Sequence, residues 1–159
     1  MKKIILTVAS IIILMNTSIS IAENGWELSI KAKVLNAENI LIIGQNPDAS
    51  DGIDGRYDVP ALLAGDIETY IELGNDTYWK DIKESCTTSC QKSWNFFADS
   101  KVVGQTIELR WNPLTIPENM SINLTDKATN NVIDMKKANN YYYENTNKRE
   151  FIVNAQIIK

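Results

Sequence analysis

Short runs in which apolar and polar residues alternate constrain the fold of this chain more than any other feature. In segment 26–34 every second residue is apolar, and the residues between them are charged or hydroxylated. A period of two places all the apolar side chains on one face of a β-strand and the polar ones on the other. The segment therefore predicts a strand with one buried face and one solvated face.

Nine further segments predict short strands, at 40–43, 67–73, 78–83, 93–98, 106–111, 120–124, 132–135, 141–143 and 151–158. Gly, Asn, Asp and Pro between them signal turns, with a long Asp- and Gly-rich loop at 44–60. Only 61–65 suggests a local helix. We predict an all-β chain: a single β-sandwich of about 9–10 short antiparallel strands, immunoglobulin-like or jelly-roll-like, with a closed barrel as the alternative. The aromatic residues expected in its core are Trp26, Trp94, Trp111 and Phe151.

The first 22 residues have the layout of a cleaved secretory signal. Lys2 and Lys3 precede an apolar run at 4–15, and small residues precede the expected cleavage site after Ala22. The run is shorter than the roughly 20 apolar residues of a membrane span. We expect a signal peptide at 1–22, a single domain at 23–159, and export to the periplasm, the cell surface or the exterior.

Composition excludes several classes of function. Without Lys2 and Lys3 the chain keeps 14 basic and 20 acidic residues, a formal charge of −6. This charge is unsuited to nucleic acid or an anionic membrane surface. The sequence has no histidine, which removes Ser-His-Asp and Cys-His catalysis and histidine-ligated zinc. Carboxylate chemistry and metal sites with oxygen ligands stay open.

Cys86 and Cys90 are the only cysteines of the chain. In an exported protein this pair predicts a local disulfide, whereas the spacing is not the C-x-x-C of a redox motif. Because the closed loop is so short, we expect a stabilisation below the usual ~2–4 kcal/mol.

Four carboxylates lie within eleven residues, at Asp48, Asp51, Asp54 and Asp58. Such a group repels itself unless a cation neutralises it, and calcium takes six to eight oxygen ligands in flexible geometry. The loop is therefore a candidate calcium site, although its spacing is not that of an EF-hand. The alternative is a solvated loop in which Asp side chains cap turns and Arg56 pairs with a carboxylate.

Trp79 and the run Tyr141, Tyr142 and Tyr143 are candidate contacts for a ligand. Three consecutive residues of one strand cannot all face inward, so at least one tyrosine should be exposed. Exposed aromatic rings stack on sugars or anchor protein interfaces. The alternative is an edge strand whose rings lie across the sheet.

Several of these motifs together resemble a loosely defined group of bacterial secreted β-sandwich modules. The motifs are Trp26, Asp51-Gly52, Tyr57-Asp58-Val59-Pro60, Trp94-Asn95-Phe96, Trp111 and Phe151. The resemblance implies an immunoglobulin- or fibronectin-like fold in a secreted or surface protein, and it implies no particular activity.

The sequence therefore predicts an exported, non-catalytic binding or adhesion module whose partner is a protein or a polysaccharide. One alternative is a structural subunit of a surface filament that assembles by strand exchange. A second is a polysaccharide hydrolase that uses only carboxylates, which requires two carboxyl groups about 5–10 Å apart in a cleft.

Overall fold

The computed structural model describes residues 25–86 and 90–158, in which the regular elements are almost all β-strands. In chain order the strands are β1 (Trp26–Val34), β2 (Ala37–Asn46), β3 (Val59–Pro60), β4 (Ile67–Leu73), β5 (Asp76–Glu84), β6 (Gln91–Ser100), β7 (Thr106–Arg110), β8 (Met120–Asp126), β9 (Val132–Asp134), β10 (Asn140–Glu144) and β11 (Arg149–Ile157). Within these described ranges, one 3-10 turn lies at Pro113–Thr115. The predicted all-β class is confirmed, whereas the expected signal peptide at 1–22 lies outside the described residues.

The strands form one continuous sheet in the order β10-β7-β1-β2-β5-β4-β6-β11-β8-β9, and β3 pairs with β5 beside this path. Every pair is antiparallel except β2 and β5, where Ile42–Asn46 runs parallel to Lys80–Glu84. The prediction of antiparallel strands throughout is wrong at this pair. The chain between β2 and β5 crosses over through β3 and β4, and a crossover connection, unlike a hairpin, brings strands together in parallel.

The sheet curls so that its inner face encloses one apolar core. Residues of β1 alternate between buried and solvent-facing along the strand, as the period of two predicted. Strands from opposite halves of the strand order meet in this core, since the Tyr143 ring centroid of β10 lies 5.3 Å from the Phe151 ring centroid of β11. Hydrogen bonding does not divide the strands into two sheets, so the single sandwich stays a prediction.

All four aromatic residues predicted for the core are buried there. They are Trp26, Trp94, Trp111 and Phe151. Burial of a large apolar side chain contributes about 1.5–3 kcal/mol. The three indole N–H groups donate, respectively, to Gln45 Oε1 and to the carbonyl oxygens of Asp81 and Met135.

Two local predictions differ from the structure. Segment 61–65 contains no helix, because the backbone N–H groups of Ala64 and Gly65 donate to the Glu68 carboxylate instead of to helical carbonyls. The predicted loop at 44–60 is interrupted at both ends, since β2 continues to Asn46 and β3 pairs with β5. Among the described residues there is no helix with the length and apolar character needed to span a membrane.

Candidate ligand-binding site

A cavity of about 130 Å³ opens on the outer face of β4 and β6. Alternation along β4 creates this face, because Ile67 and Ile71 point into the core, whereas Glu68 and Tyr70 lie on the opposite face and line the cavity. The cavity is lined by Leu63, Gly65, Glu68, Tyr70, Asp99 and Lys101. Sequence reasoning missed this site, because its residues come from two stretches that are distant in the chain, 63–70 and 99–101.

Glu68 builds the wall of the cavity. Its side chain is buried, and Oε1 accepts hydrogen bonds from the backbone N–H groups of Ala64, at 2.8 Å, and Gly65. Its Oε2 accepts the amide of Asn39 at 2.9 Å. A Cβ on Gly65 would lie 2.9 Å from Glu68 Oε1 and 3.1 Å from the Ile67 carbonyl oxygen, so a side chain at this position would displace the Glu68 carboxylate. These bonds hold Leu63, which is 44% exposed, at the rim.

Asp99 and Lys101 supply polar groups beside this wall. Neither side chain forms a hydrogen bond or an ion pair with any other described residue. Asp99 offers carboxylate oxygens that accept, and Lys101 offers an ammonium group that donates. The cavity therefore presents an acceptor and a donor that are both available to a ligand.

A cation–π contact orders the aromatic surface next to the cavity. Tyr70 and Phe97 are cross-strand partners with ring centroids 5.6 Å apart. The Lys148 ammonium lies 3.8 Å from the Phe97 centroid and 2.6 Å from Glu72 Oε1. Burial disfavours the charge, but hydrogen bonds to Glu72 and Tyr70 raise the pKa of Lys148. The cation stays charged and restrains the Tyr70 ring.

The carboxylates of the Asp-rich loop point to separate partners. Asp58 is buried, and its two oxygens accept the backbone N–H groups of Ile82 at 3.1 Å and Asp54 at 2.6 Å. Asp51 pairs with Lys92, with Oδ2 2.7 Å from Nζ. These contacts dock the loop onto β5 and β6. The solvated-loop interpretation predicted that Asp side chains cap backbone groups, and Asp58 does so.

Asp48 and Arg56 are further charged residues of this loop that face solvent. Asp48 is exposed, and the Arg56 guanidinium lies 5.2 Å from the Tyr57 ring centroid. In the described part of the chain no group of three or more His, Cys, Asp or Glu side chains is arranged to hold a metal ion. The calcium site at Asp48, Asp51, Asp54 and Asp58 stays a prediction.

Asp81 is a buried charge that the strand pattern did not reveal. Its side chain is 2% exposed, and Oδ2 lies 3.4 Å from Lys83 Nζ without a hydrogen-bond partner among the described residues. Burial raises the pKa of Asp81, the Lys83 charge opposes this effect, and the Asp58 charge adds to it. The sequence carried no signal for this arrangement, because Asp81 lies within a segment that predicts an ordinary strand.

The three consecutive tyrosines have three different environments. Tyr141 donates to Asp126 Oδ2 at 2.7 Å, and Tyr143 is buried. Tyr142 is 54% exposed and donates to Glu108 Oε1 at 2.9 Å. The prediction that at least one ring is exposed is confirmed. Trp79 is half-buried, and its indole N–H has no partner among the described residues.

Cys86 and Cys90 lie at disulfide distance, with their Cα atoms 5.8 Å apart. Cys86 is buried, and its Sγ accepts a hydrogen bond from Gln45 Nε2 at 3.3 Å. The predicted pairing is confirmed.

Comparison of the chain with known protein families, curated proteins and solved structures found no match.

Proposed function

We propose that the protein is an exported, non-catalytic module that binds a polysaccharide in the cavity on the outer face of β4 and β6. The observation that carries this proposal is the pair Asp99 and Lys101, whose side chains have no hydrogen-bond or ion-pair partner among the described residues and lie in the same cavity as the apolar side chain of Leu63. A sugar ring carries hydroxyl groups that donate and accept, together with apolar C–H faces that pack on aromatic or aliphatic side chains. Leu63, which is 44% exposed, supplies that packing surface, and the Tyr70 ring beside it is buried.

The size of the cavity restricts how much of a chain it holds. Pockets for drug-sized ligands have volumes of roughly 300–1,000 Å³. A cavity of about 130 Å³ suits one sugar unit. The rest of the polysaccharide would extend over the neighbouring surface of β4 and β6.

A binding role fits the cavity better than hydrolysis does. A carboxylate-only glycosidase needs one carboxyl group that donates a proton to the leaving oxygen. Both oxygens of Glu68 already accept hydrogen bonds from N–H donors, so this group positions the wall and does not face a ligand as an acid. Asp99 is then the one carboxyl group of the cavity lining that is available to a ligand, whereas hydrolysis requires two.

We also propose that the curled sheet is an immunoglobulin-like or jelly-roll-like sandwich. Trp26 of β1 and Trp94 of β6 are in edge contact with ring centroids 5.8 Å apart, although three strands separate β1 from β6 in the sheet order. Such a contact fits two layers facing each other across a core. The N-terminal signal layout and the Cys86–Cys90 pair support export, since disulfides persist in oxidising compartments.

Assembly by donation of the N-terminal strand receives less support. β1 pairs with β2 over nine residue pairs and with β7 over three, all within one chain. A donated strand would have to leave both neighbours.

Electrophoresis of the native protein through gels with and without neutral polysaccharides, namely dextran, hydroxyethylcellulose or soluble xylan, tests the proposed function. We expect at least one polymer to retard the protein, and the double variant Asp99→Ala with Lys101→Ala to lose this retardation. The matched control is Asp76→Ala with Lys127→Ala, which changes charge equally at two exposed positions away from the cavity. Retardation by none of the polymers, or equal retardation of both double variants, would contradict the proposal.

A further inference from the structure

Strand β10 lies at one end of the sheet order and pairs only with β7 among the described residues. Two backbone hydrogen bonds flank this pairing. The Trp111 N–H donates to the Asn139 carbonyl at 3.0 Å, and the Asn145 N–H donates to the Gln105 carbonyl at 2.9 Å. In an antiparallel ladder the direction of the hydrogen bonds alternates along the strand. Odd-numbered residues of β10 therefore bond to β7.

The even-numbered residues Asn140, Tyr142 and Glu144 direct their backbone N–H and C=O groups away from β7. No described residue forms a backbone hydrogen bond with them. A row of unpaired backbone groups is a template for another strand. We infer that β10 pairs with β10 of a second copy of this chain, antiparallel and around a twofold axis at Tyr142.

The sequence of β10 is self-complementary in this register. Tyr142 would face Tyr142 of the second copy, and Asn140 would face Glu144 in both directions. An amide opposite a carboxylate supplies a donor to an acceptor, and no two like charges are opposed. A shift of the twofold axis to Tyr143, by contrast, would place Glu144 opposite Tyr142 and leave Asn140 unpaired within the strand.

β10 also lacks the features by which edge strands avoid association. Lysine, proline, a bulge or a very short length usually blocks an edge. β10 contains neither lysine nor proline, and its register with β7 is regular over five residue pairs. The strand at the other end of the order, β9, has only three residues, with Lys136 and Lys137 shortly after it. β10 is therefore the edge suited to pairing.

The exposed Tyr142 ring is ordered before any association. Its hydroxyl donates to Glu108 Oε1, and Arg110 Nη2 donates to the same oxygen at 2.7 Å. A side chain that is already restrained loses less entropy when an interface forms. The pairing does not use the cavity on β4 and β6, so it is independent of polysaccharide binding.

Sedimentation equilibrium of the purified protein over a range of concentrations tests this inference. We expect a monomer–dimer equilibrium. Two substitutions at one position test the register: Asn140→Lys faces Glu144 and should tighten the dimer roughly three- to tenfold, whereas Asn140→Glu faces the same residue and should weaken it by a similar factor. Because of the twofold axis, each substitution changes two contacts in the dimer, one between residue 140 of each copy and Glu144 of the other.

Tyr142→Pro removes an outward N–H group without removing a bond to β7, and it should abolish the dimer. Val132→Lys on β9 is the control and should leave the equilibrium unchanged. A monomer at every concentration, a dimer that persists in Tyr142→Pro, or a shift in the same direction for both Asn140 variants would overturn the inference. The comparison of Asn140→Lys with Asn140→Glu still tests the register even if Tyr142→Pro does not fold. Gel retardation by polysaccharide should be unchanged in all of these variants.

Discussion

The hydroxyl group of Tyr141 donates a hydrogen bond to the Asp126 carboxylate over 2.7 Å, which joins β10 at one end of the sheet order to β8 near the other. Arg149 Nε donates to the same carboxylate at 3.0 Å, and Asp126 is fully buried. This bond links strands that share no backbone pairing. It therefore contributes to closing the curled sheet around its core.

The same contact predicts acid sensitivity. Burial disfavours the charge of Asp126, but hydrogen bonds from Arg149 and Tyr141 outweigh it and lower the pKa to about 2. A carboxyl group whose pKa is lower in the folded state stabilises the fold at neutral pH, and this contribution is lost as pH falls from about 4 to about 2. We expect Asp126→Asn to lower the free energy of unfolding by about 2 kcal/mol at pH 7.

Urea denaturation at pH 7 and pH 2.5 measures the effect, and the difference between wild type and Asp126→Asn should shrink at the lower pH. The exposed Asp76→Asn serves as the control, with little effect at either pH. If Asp126→Asn lowered the free energy of unfolding equally at both pH values, the charge of Asp126 would not be the cause of the loss.

Glu68 should control the shape of the cavity. Replacing it by alanine removes the acceptor of two backbone N–H groups, and each unsatisfied donor costs about 1–3 kcal/mol where water cannot replace the bond. We expect Glu68→Ala to accelerate hydrogen exchange at Ala64 and Gly65 and to weaken polysaccharide retardation. Glu68→Gln keeps one accepting oxygen and should have a smaller effect. Unchanged exchange at both amides in Glu68→Ala would refute this role.

The disulfide should stabilise the protein only modestly. The core cluster does not contain Cys86, and the loop that the pair closes is short. We expect the double variant Cys86→Ala with Cys90→Ala to keep its fold, with a loss below about 2–4 kcal/mol in free energy of unfolding. Thermal unfolding of the wild type and the double variant, with and without a reducing agent, measures this loss of stability. The variant should not respond to the reducing agent, and a variant that is unfolded at 25 °C would contradict the prediction.

Calcium binding by the Asp-rich loop is tested by thermal unfolding with calcium and with a chelator. The Lys92 ammonium already neutralises Asp51, so a calcium ion would compete with it. We expect calcium to raise the Tm, and to raise it further in Lys92→Met, because this variant frees the Asp51 carboxylate. Lys127→Met removes an exposed lysine elsewhere and is the control. Identical curves with calcium and chelator in both proteins would assign the loop a purely structural role.

The sequence alone determined where most strands lie and which of their faces is buried. β1 and β4 have the predicted bounds, and Trp94 and Phe151 are in the core as expected. This success has a local cause, because the period of two depends only on neighbouring residues and on the sign of their hydropathy. Turn residues marked the ends of strands for the same reason.

Only the tertiary structure decided which strands are neighbours and which polar residues meet. The parallel pairing of β2 with β5, the burial of Asp81, and the cavity between Glu68 and Asp99 all depend on contacts between distant segments. Such contacts follow from the register of whole strands and from the path of the crossover, and no local pattern encodes them. The physical reason is that a polar residue on an outward face looks the same in sequence whether solvent, a salt bridge or a cavity lies above it.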